Sequence, residues 1–393
     1  MTIRDKHLQH PLLAFRLGNE THPAGMLATV DLVCAVLIAA LVFLSRYLTR
    51  GGLYFVDGPR LVHAIQNHTY VIQPPGYWMY AHLGALFNNP ASGLVFVNEL
   101  FSASGAAVFF LLARKTCLST QTAVLAALAY SSIFFVWFAG DIQSSYASQI
   151  LFAPLTIYLF FLYRENKSTW RLALCGASYA IGAGLRPSDG AFLAPLFIFI
   201  TFAFVSRWTH RIAVFVLALL LSMAWYIPTQ LALRNSHSID LSGQLGSLAF
   251  QVSPLLTGIN SRSIANIIRV ILPLMAAFWV LLPAVNFRRK SMESWAVLLW
   301  VVPGLLFFLL IYMADAPYLT FMTGGIILAA ALSKRRHLPT ILLLICFAFN
   351  TLLFLGARPL AGNGRADQAI NFYIVKYCYY GIRHQWAGTI GRH

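Results

Sequence analysis

Residues 54–80 read YFVDGPRLVHAIQNHTYVIQPPGYWMY and follow an apolar run long enough to cross a bilayer. The stretch begins with an acid in a short polar turn, Asp57, and continues through a helix-like segment to a Pro-Pro-Gly break beside tyrosine and tryptophan. Proline has no backbone N–H and restricts the residue before it, so Pro74-Pro75 ends any helix at this point. An acid just beyond an apolar run, followed by an aromatic-rich segment that leads back to the membrane, contributes little to packing. It is therefore a candidate for a reaction site.

The segment 48–90 is predicted to be a loop outside the membrane that holds two interfacial helices. Residues 59–67 place apolar side chains on one side and polar side chains around them, which is typical of a helix lying on a membrane surface. Residues 76–87 are too short to span a bilayer, and their aromatic side chains are predicted at headgroup depth, namely Tyr77, Trp78 and Tyr80.

The composition indicates an integral membrane protein. Apolar residues make up 59% of the 393 residues and charged residues 10%, whereas a soluble domain carries roughly a quarter charged residues. Apolar runs of about 17–25 residues, the length that crosses a hydrocarbon core, recur along the chain. We therefore predict one all-α polytopic membrane domain over 1–393 with about 11 transmembrane helices. The candidate spans are 26–47, 91–113, 120–138, 147–163, 171–185, 191–206, 212–231, 266–285, 295–313, 317–332 and 340–356.

The basic residues predict the orientation. More than half of the 28 Lys and Arg residues lie in alternate short gaps between spans, which puts the N-terminus in the cytoplasm. The net charge of +16 is then explained by anchors facing anionic lipid, without a nucleic-acid partner. The opposite set of gaps holds six aspartates: Asp57, Asp141, Asp189, Asp240, Asp315 and Asp367.

Two further segments are predicted on the outer side with these aspartates. Residues 232–265 form a second long polar loop, and residues 357–393 form an aromatic-rich tail that packs on the outer membrane surface. The predicted location is the inner (plasma) membrane of a bacterium, because the chain is compact and shows no soluble extension.

Metal and nucleotide motifs are not indicated. The five cysteines have neither metal nor disulfide spacing, and the histidines show no ligand-like pairing, so no metal ligands are assigned. A divalent metal as cofactor is not indicated by any motif, and the chain has no Walker, Rossmann or Gly-x-Ser-x-Gly pattern.

Two acids of the outer gaps are candidates for catalysis. Asp57 reads either as a helix N-cap or turn residue, or as a general base that removes a proton from a hydroxyl; the two roles are compatible. Asp141 lies in FAGDIQSSYASQ, a polar stretch that can bind a substrate or can cap the following span.

Arg186, in GAGLRPSDG, is a basic residue on the side that carries few of them. It either forms a salt bridge with Asp189 or binds a phosphate with its fork of donors. Arg60 and His63 are weaker candidates for the phosphate. Glu99 falls inside a predicted span, where an acid is costly and is usually paired or functional, so it is a candidate for the same site.

Together these residues resemble the GT-C superfamily of multi-span glycosyltransferases, which includes protein O-mannosyltransferases and the aminoarabinose transferase of lipid A. The resemblance covers roughly residues 26–200 and depends on the Asp57 loop, Gln-Pro-Pro-Gly-Tyr-Trp-x-Tyr, the acid Asp141 after the third span, and Gly-x-x-x-Arg-Pro. Where many relatives have two adjacent acids and a histidine before the proline turn, this chain has Gly58 and Gln73.

The resemblance implies a lipid-phosphate sugar as donor on the outer face. Asp57 then corresponds to the catalytic acid of the first loop, Asp141 to the acid of the second loop, and Arg186 lies near the donor phosphate. We therefore expect an inverting transferase, in which Asp57 is the general base and the acceptor hydroxyl belongs to a lipid, a glycan or a protein. Tyr77 and Asp189 are expected to contact the substrate.

Two other functions remain open on the sequence. One is a transporter or flippase for lipid or polyprenyl phosphate, and the other is a non-catalytic subunit of an envelope complex. A transporter needs polar residues through several spans, whereas here they concentrate on one side. That asymmetry favours the enzyme.

Overall fold

The computed structural model describes residues 24–50, 57–71, 76–116, 118–235, 251–284, 292–314, 316–333 and 337–357. Within these ranges every regular element is a helix, which confirms the prediction of an all-α chain. Asp240, Asp315 and Asp367 lie outside the described residues, as do residues 236–250 of the second long loop and nearly all of the tail predicted at 357–393.

The helices follow the apolar windows of the sequence to within a few residues. In chain order they are α1 Ala24–Thr49, α2 Asp57–Gln66, α3 Trp78–Ala85, α4 Pro90–Lys115, α5 Thr120–Ser132, α6 Phe134–Asp141, α7 Ser148–Asn166, α8 Thr169–Leu185, α9 Pro187–Phe204, α10 Trp208–Asn235, α11 Pro254–Thr257, α12 Ser261–Phe278, α13 Met292–Leu310, α14 Thr323–Ala331 and α15 Leu338–Ala357. Short 3-10 segments at Ser145–Ala147, Trp279–Ala284 and Ala316–Met322 extend α7, α12 and α14.

Helix length and the pattern of apolar windows in the sequence give different numbers of membrane crossings. Seven described helices are long and apolar enough to cross a bilayer, or eight if α5 and α6 form one bent span. The helix α8 has 17 residues, and the apolar helices Ser294–Leu310 and Ala316–Ala331 also fall short of the required length, so the predicted count of eleven is not established by the structure.

Short turns join many of the consecutive long helices, so these helices run in opposite directions and their turns gather at two ends of the bundle. The residues in these turns make the two ends chemically different. We call one the acidic end; it contains the end of α1, the α6–α7 turn and the α8–α9 turn. We call the other the basic end. At the basic end Arg114 pairs with Asp31 at 2.9 Å and Lys115 pairs with Glu165 at 2.6 Å.

The centre of the bundle is α4, which packs on α1 and α7. Gly105 on α4 allows a close approach, since a Cβ at this position would lie 2.3 Å from the carbonyl oxygen of Ile150 on α7. That carbonyl has no helical donor because residue 154 is proline, and the Tyr130 hydroxyl donates to it at 3.0 Å instead. Small residues and satisfied carbonyls of this kind are what hold helices together in lipid.

The two short helices of the first loop dock on the acidic end. Leu61 and Ile65 of α2 form a buried cluster with Tyr80 and Ala81 of α3 and with Leu94 and Leu185 of the long helices. Tyr80 has no exposed surface, so its ring contacts protein rather than lipid headgroups, and its depth in the membrane stays a prediction. The reason is that α3 packs against α4 and α8, so that its aromatic face is covered by protein.

Candidate active site

The span formed by α5 and α6 is broken inside the bundle. The two helices meet at Ile133 with a bend of 64°. A break at this depth leaves backbone groups without helical partners, and no water is available in lipid to replace them. The Ser131 carbonyl accepts a hydrogen bond from Arg46 Nη2 at 2.5 Å, and the Phe134 N–H donates to Asn350 Oδ1 at 3.4 Å.

Asp141 is the last residue of α6 and is 2% exposed. The Thr49 hydroxyl donates to its Oδ2 at 2.6 Å, and the Trp137 indole N–H donates to Thr49 Oγ1 at 2.9 Å. Arg46 Nε lies 3.8 Å from Asp141 Oδ1, and the Arg46 guanidinium lies 4.5 Å from the centre of the Trp137 ring. The acid is therefore held in a charge-neutral network built by α1 and α6.

The segment from Asp141 to Gln149, which we call the polar turn, is buried throughout. The Asn98 amide donates to the carbonyls of Ile142 and Ser144, at 2.5 and 2.8 Å, and the Gln149 amide donates to the Gly182 carbonyl at 3.0 Å. The hydroxyl of Ser144 accepts from the Tyr146 N–H at 3.3 Å and so caps the 3-10 segment before α7. Side chains of neighbouring helices thus satisfy hydrogen-bonding groups of the polar turn, which solvent does not reach.

Arg186 stands between α8 and α9 and is 2% exposed. Its Nε lies 3.0 Å from Asp189 Oδ2, and its Nη1 donates to Ser145 Oγ of the polar turn at 3.0 Å. The guanidinium lies 3.7 Å from the centre of the Tyr146 ring. Burial is the largest single influence and works against the charged form of Arg186, but the Asp189 carboxylate and the surrounding tyrosines together outweigh it, so the pKa of Arg186 is raised above its ordinary value.

Two more tyrosine rings surround this guanidinium. Tyr318, from the C-terminal third of the chain, is 5.4 Å away, and Tyr77, from the first loop, is 5.7 Å away. Tyr77 is half-buried, whereas Tyr146 is buried. The salt bridge between Arg186 and Asp189, one of the two alternatives open on the sequence, is therefore present, and three separate parts of the chain enclose it.

Glu99 is fully buried on α4 and forms a two-point contact with Arg50, which follows α1. One contact joins Arg50 Nη2 and Glu99 Oε2 at 2.8 Å, and the other joins Arg50 Nε and Glu99 Oε1. The hydrogen bond to Glu99 is the main reason that the pKa of Arg50 is raised. Arg46, in the last turn of α1, and Arg50, just after that helix, are four residues apart, and each pairs with an acid from another element.

Asp57 is the first residue of α2, and its side chain lies outside the described residues. Arg60 and His63 are exposed on the same helix, and His63 Nε2 lies 2.9 Å from Asn67 Nδ2. The structure brings together Tyr77, Arg186 and Asp189 around the polar turn, whose first residue is Asp141. The catalytic and phosphate roles assigned to these residues stay predictions.

Comparisons with known proteins agree with this architecture. Residues 69–229 match the family described as dolichyl-phosphate-mannose-protein mannosyltransferase. The structure of ArnT from Cupriavidus metallidurans bound to undecaprenyl phosphate aligns with 93% of this chain and 78% of its own, at 14% identity and a TM-score of 0.53. The apo structure of the same ArnT aligns with 90% of this chain and 76% of its own, at 13% identity and a TM-score of 0.55. No curated protein sequence matches the chain.

The chain has the fold of the GT-C glycosyltransferases.

This result confirms the resemblance seen in the sequence and identifies a multi-pass membrane protein. The segment that matches the mannosyltransferase family contains the polar turn, Tyr77, Glu99, Arg186 and Asp189, whereas α2 with Asp57 precedes it. In this GT-C chain the described residues include no group of three His, Cys, Asp or Glu side chains able to hold a metal ion.

Sequence reasoning missed several residues of this candidate site. Arg46 lies inside a predicted span, and a charge at membrane depth is itself a signal that a partner or a function exists. Tyr146 and Ser145 belong to a stretch that was recognised as polar, but only the fold brings them to Arg186. Tyr318 lies far along the chain from the recognised motifs, and no local pattern distinguishes it from other aromatic residues near the membrane surface.

Proposed function

We propose that the chain is a membrane glycosyltransferase that moves a sugar from a polyprenyl-phosphate donor to a hydroxyl group of a lipid, a glycan or a protein. The observation that carries the proposal is the buried polar turn joined to Arg186 at the acidic end of a GT-C bundle. Burying this many polar groups in an apolar bundle is costly, and such sites are usually retained for function.

The choice of donor is supported by two features. ArnT, which shares the fold, binds undecaprenyl phosphate, a polyprenyl phosphate. In this chain an apolar cavity between α7, α8 and α9 begins at Gln149 and Gly182 and continues to Phe160 and Ile200. Gly182 also accepts the backbone hydrogen bond of Arg186, at 3.1 Å, so the lining of the cavity comes within one helical turn of Arg186 along the chain. The cavity has room for little more than a water molecule, so an isoprenoid tail would enter here only by parting α7, α8 and α9, and its phosphate would then lie toward the acidic end.

The proposed reaction is a single inverting displacement. Asp57 removes the proton of the acceptor hydroxyl as that oxygen attacks the anomeric carbon from the face opposite the phosphate. The bond from the anomeric carbon to the phosphate oxygen breaks, and polyprenyl phosphate leaves with the electron pair. A phosphate ester is a good leaving group, so no separate general acid is needed.

Arg186 is proposed to stabilise the charge that develops on the departing phosphate, since preorganised donors in a dry site are worth more than in water. In the present arrangement its charge is shared with Asp189, and Tyr77 covers it from the side of the first loop. A headgroup that reaches Arg186 would therefore lie against the Tyr77 ring. Asp141 is proposed as the second acid of the site.

The active site is proposed to face the periplasm of a bacterial inner membrane, with the N-terminus in the cytoplasm. The support is the basic residues of the opposite end, which favour the cytoplasmic side. A nucleotide sugar is then an unsuitable donor, because it would be supplied on the other side of the membrane.

The test uses purified protein in liposomes with labelled polyprenyl-phosphate sugars and a native lipid extract. The wild type should transfer label, and Asp57→Asn should lose about 10²- to 10⁴-fold in rate, the contribution typical of a general base. Asp31→Asn is the matched control, because Asp31 lies at the basic end, where it pairs with Arg114; it should keep the wild-type rate.

Other outcomes would redirect the assignment. A wild-type rate in Asp57→Asn would remove Asp57 from the mechanism. Labelled lipid that crosses between leaflets without any sugar transfer would favour a transporter. Neither sugar transfer nor lipid crossing would favour a non-catalytic subunit.

A further inference from the structure

Arg46 contacts the bent pair α5 and α6 at three points with one side chain, one in the last turn of α5 and two on α6. Its Nη2 donates to the Ser131 carbonyl, just before α6 begins, and its guanidinium lies over the ring of Trp137, in the middle of α6. Its Nε lies 3.8 Å from Asp141, the last residue of α6. A helix of this length is about 12 Å long, and Arg46 lies along it with 1% of its surface exposed.

These contacts have separate consequences. The hydrogen bond to Ser131 satisfies a carbonyl that the 64° break removes from helical bonding, so it stabilises the bend. The charge of Arg46 offsets the buried carboxylate of Asp141, which would otherwise be very costly at this depth. The start of α6 and its acidic end are therefore fixed by the same residue of α1.

The position of Asp141 determines where the polar turn begins. Downstream, Asn98 holds the carbonyls of Ile142 and Ser144, and Ser145 contacts Arg186. Arg46 supplies the charged contact to the first residue of the turn, and the tight space around it is shown by Gly140, where a Cβ would lie 2.9 Å from Arg46 Nε. A shift of α6 would therefore move Asp141 relative to Arg186.

We propose that Arg46 is a positioning residue for the transferase site, which orients Asp141 and the polar turn by bridging the two ends of α6. It acts through Asp141 and the backbone rather than by contact with the substrate. This inference rests on the proposed function for its kinetic consequence, but its structural consequence can be measured without any activity.

The substitution Arg46→Lys tests the contacts of Arg46 with Ser131 and Trp137 separately from its positive charge. Lysine keeps a positive charge for Asp141, but it is a single point donor and cannot also cover Trp137 and reach the Ser131 carbonyl. The expected result is a folded protein whose kcat falls about 100-fold, as a misplacement near 1 Å can cause, while KM changes by less than about threefold. Hydrogen exchange in peptides covering residues 131–149 should become faster.

Arg114→Lys is the matched control, because Arg114 also pairs with an acid across helices, but at the basic end. It should leave kcat and the exchange of residues 131–149 unchanged. Wild-type exchange of residues 131–149 in Arg46→Lys would overturn the inference, and so would faster exchange with a wild-type kcat. If the wild type itself transfers no sugar, the proposed function fails; the exchange result alone then decides whether Arg46 orients the polar turn.

Discussion

At the scale of single residues, the acidic end is organised by buried charge pairs that cancel each other. Arg186 with Asp189 and Arg46 with Asp141 each join a buried cation and a buried acid, whereas Arg50, which is 39% exposed, reaches in to the buried Glu99. Removing one member of a buried pair leaves an uncompensated charge, whereas removing both members does not. Pairwise substitution therefore distinguishes a structural pair from a catalytic one.

Arg186→Met should lower the free energy of unfolding by about 3–5 kcal/mol, because Asp189 is left buried and unpaired. The double variant Arg186→Met with Asp189→Asn should recover most of that loss but should not recover sugar transfer. Thermal unfolding in detergent and the liposome assay measure the two effects. Lys115→Met, at the half-exposed pair with Glu165, is the control and should change stability by less than about 1 kcal/mol.

The direction of the Arg186 pKa sets its pH dependence. Because the pKa of Arg186 in the folded protein is raised, the stabilisation from its charge is fully present below its pKa in the unfolded chain and is lost only as pH rises through the higher folded pKa. Arg186 therefore stays charged across the whole range of pH in which the protein can be assayed.

The double variant Arg186→Met with Asp189→Asn also tests the role of this charge. If that variant regained sugar transfer, the proposed role of Arg186 at the phosphate would be contradicted.

At the scale of elements, the site depends on how closely α4 and α7 approach. Asn98 on α4 holds the polar turn, and the last two residues of that turn are the first two of α7. Gly105 permits this approach at a carbonyl that Pro154 has left without a helical donor. The proline and the glycine are therefore parts of one contact, although they lie on different helices.

Gly105→Ala should separate α4 from α7, because the added Cβ would meet the Ile150 backbone oxygen at 2.3 Å and backbone cannot move aside cheaply. We expect a loss of about 1–3 kcal/mol in unfolding free energy, typical of overpacking, together with reduced transfer. Gly176→Ala is the control, since its nearest contacts are at 3.2 Å. Equal thermal stability of the two variants would contradict this account of the helix contact.

At the scale of the whole molecule, the two ends of the bundle differ in charge, and this difference underlies the proposed orientation. Thr257, beside the start of α12, and Thr169, at the start of α8, are both exposed and lie at the acidic and basic ends. In a background without the native cysteines, a cysteine at position 257 should react with a membrane-impermeant maleimide in spheroplasts, whereas one at position 169 should react only after lysis. The reverse pattern would put the site in the cytoplasm and make a nucleotide sugar an available donor.

The membrane class, the positions of the helices and the resemblance to the GT-C superfamily all follow from the sequence alone. The physical reason is local: a helix in lipid must be apolar over a fixed length, and proline or charge interrupts it within a few residues. Turns such as Asn89-Pro90 and Arg186-Pro187 mark helix starts in the same local way.

Tertiary structure alone decided which polar groups meet. Nothing in the sequence around Ile133 marks the break between α5 and α6, because the groups that satisfy its backbone are distant in the chain: Arg46 is 85 residues from Ser131, and Asn350 is 216 residues from Phe134. For the same reason the sequence leaves open whether Asp141 binds a substrate or caps the following span, whereas the structure places it at the end of α6, where it meets Arg46 and Thr49. Which polar groups become partners across the bundle depends on how the helices pack, and no local sequence pattern indicates these pairs.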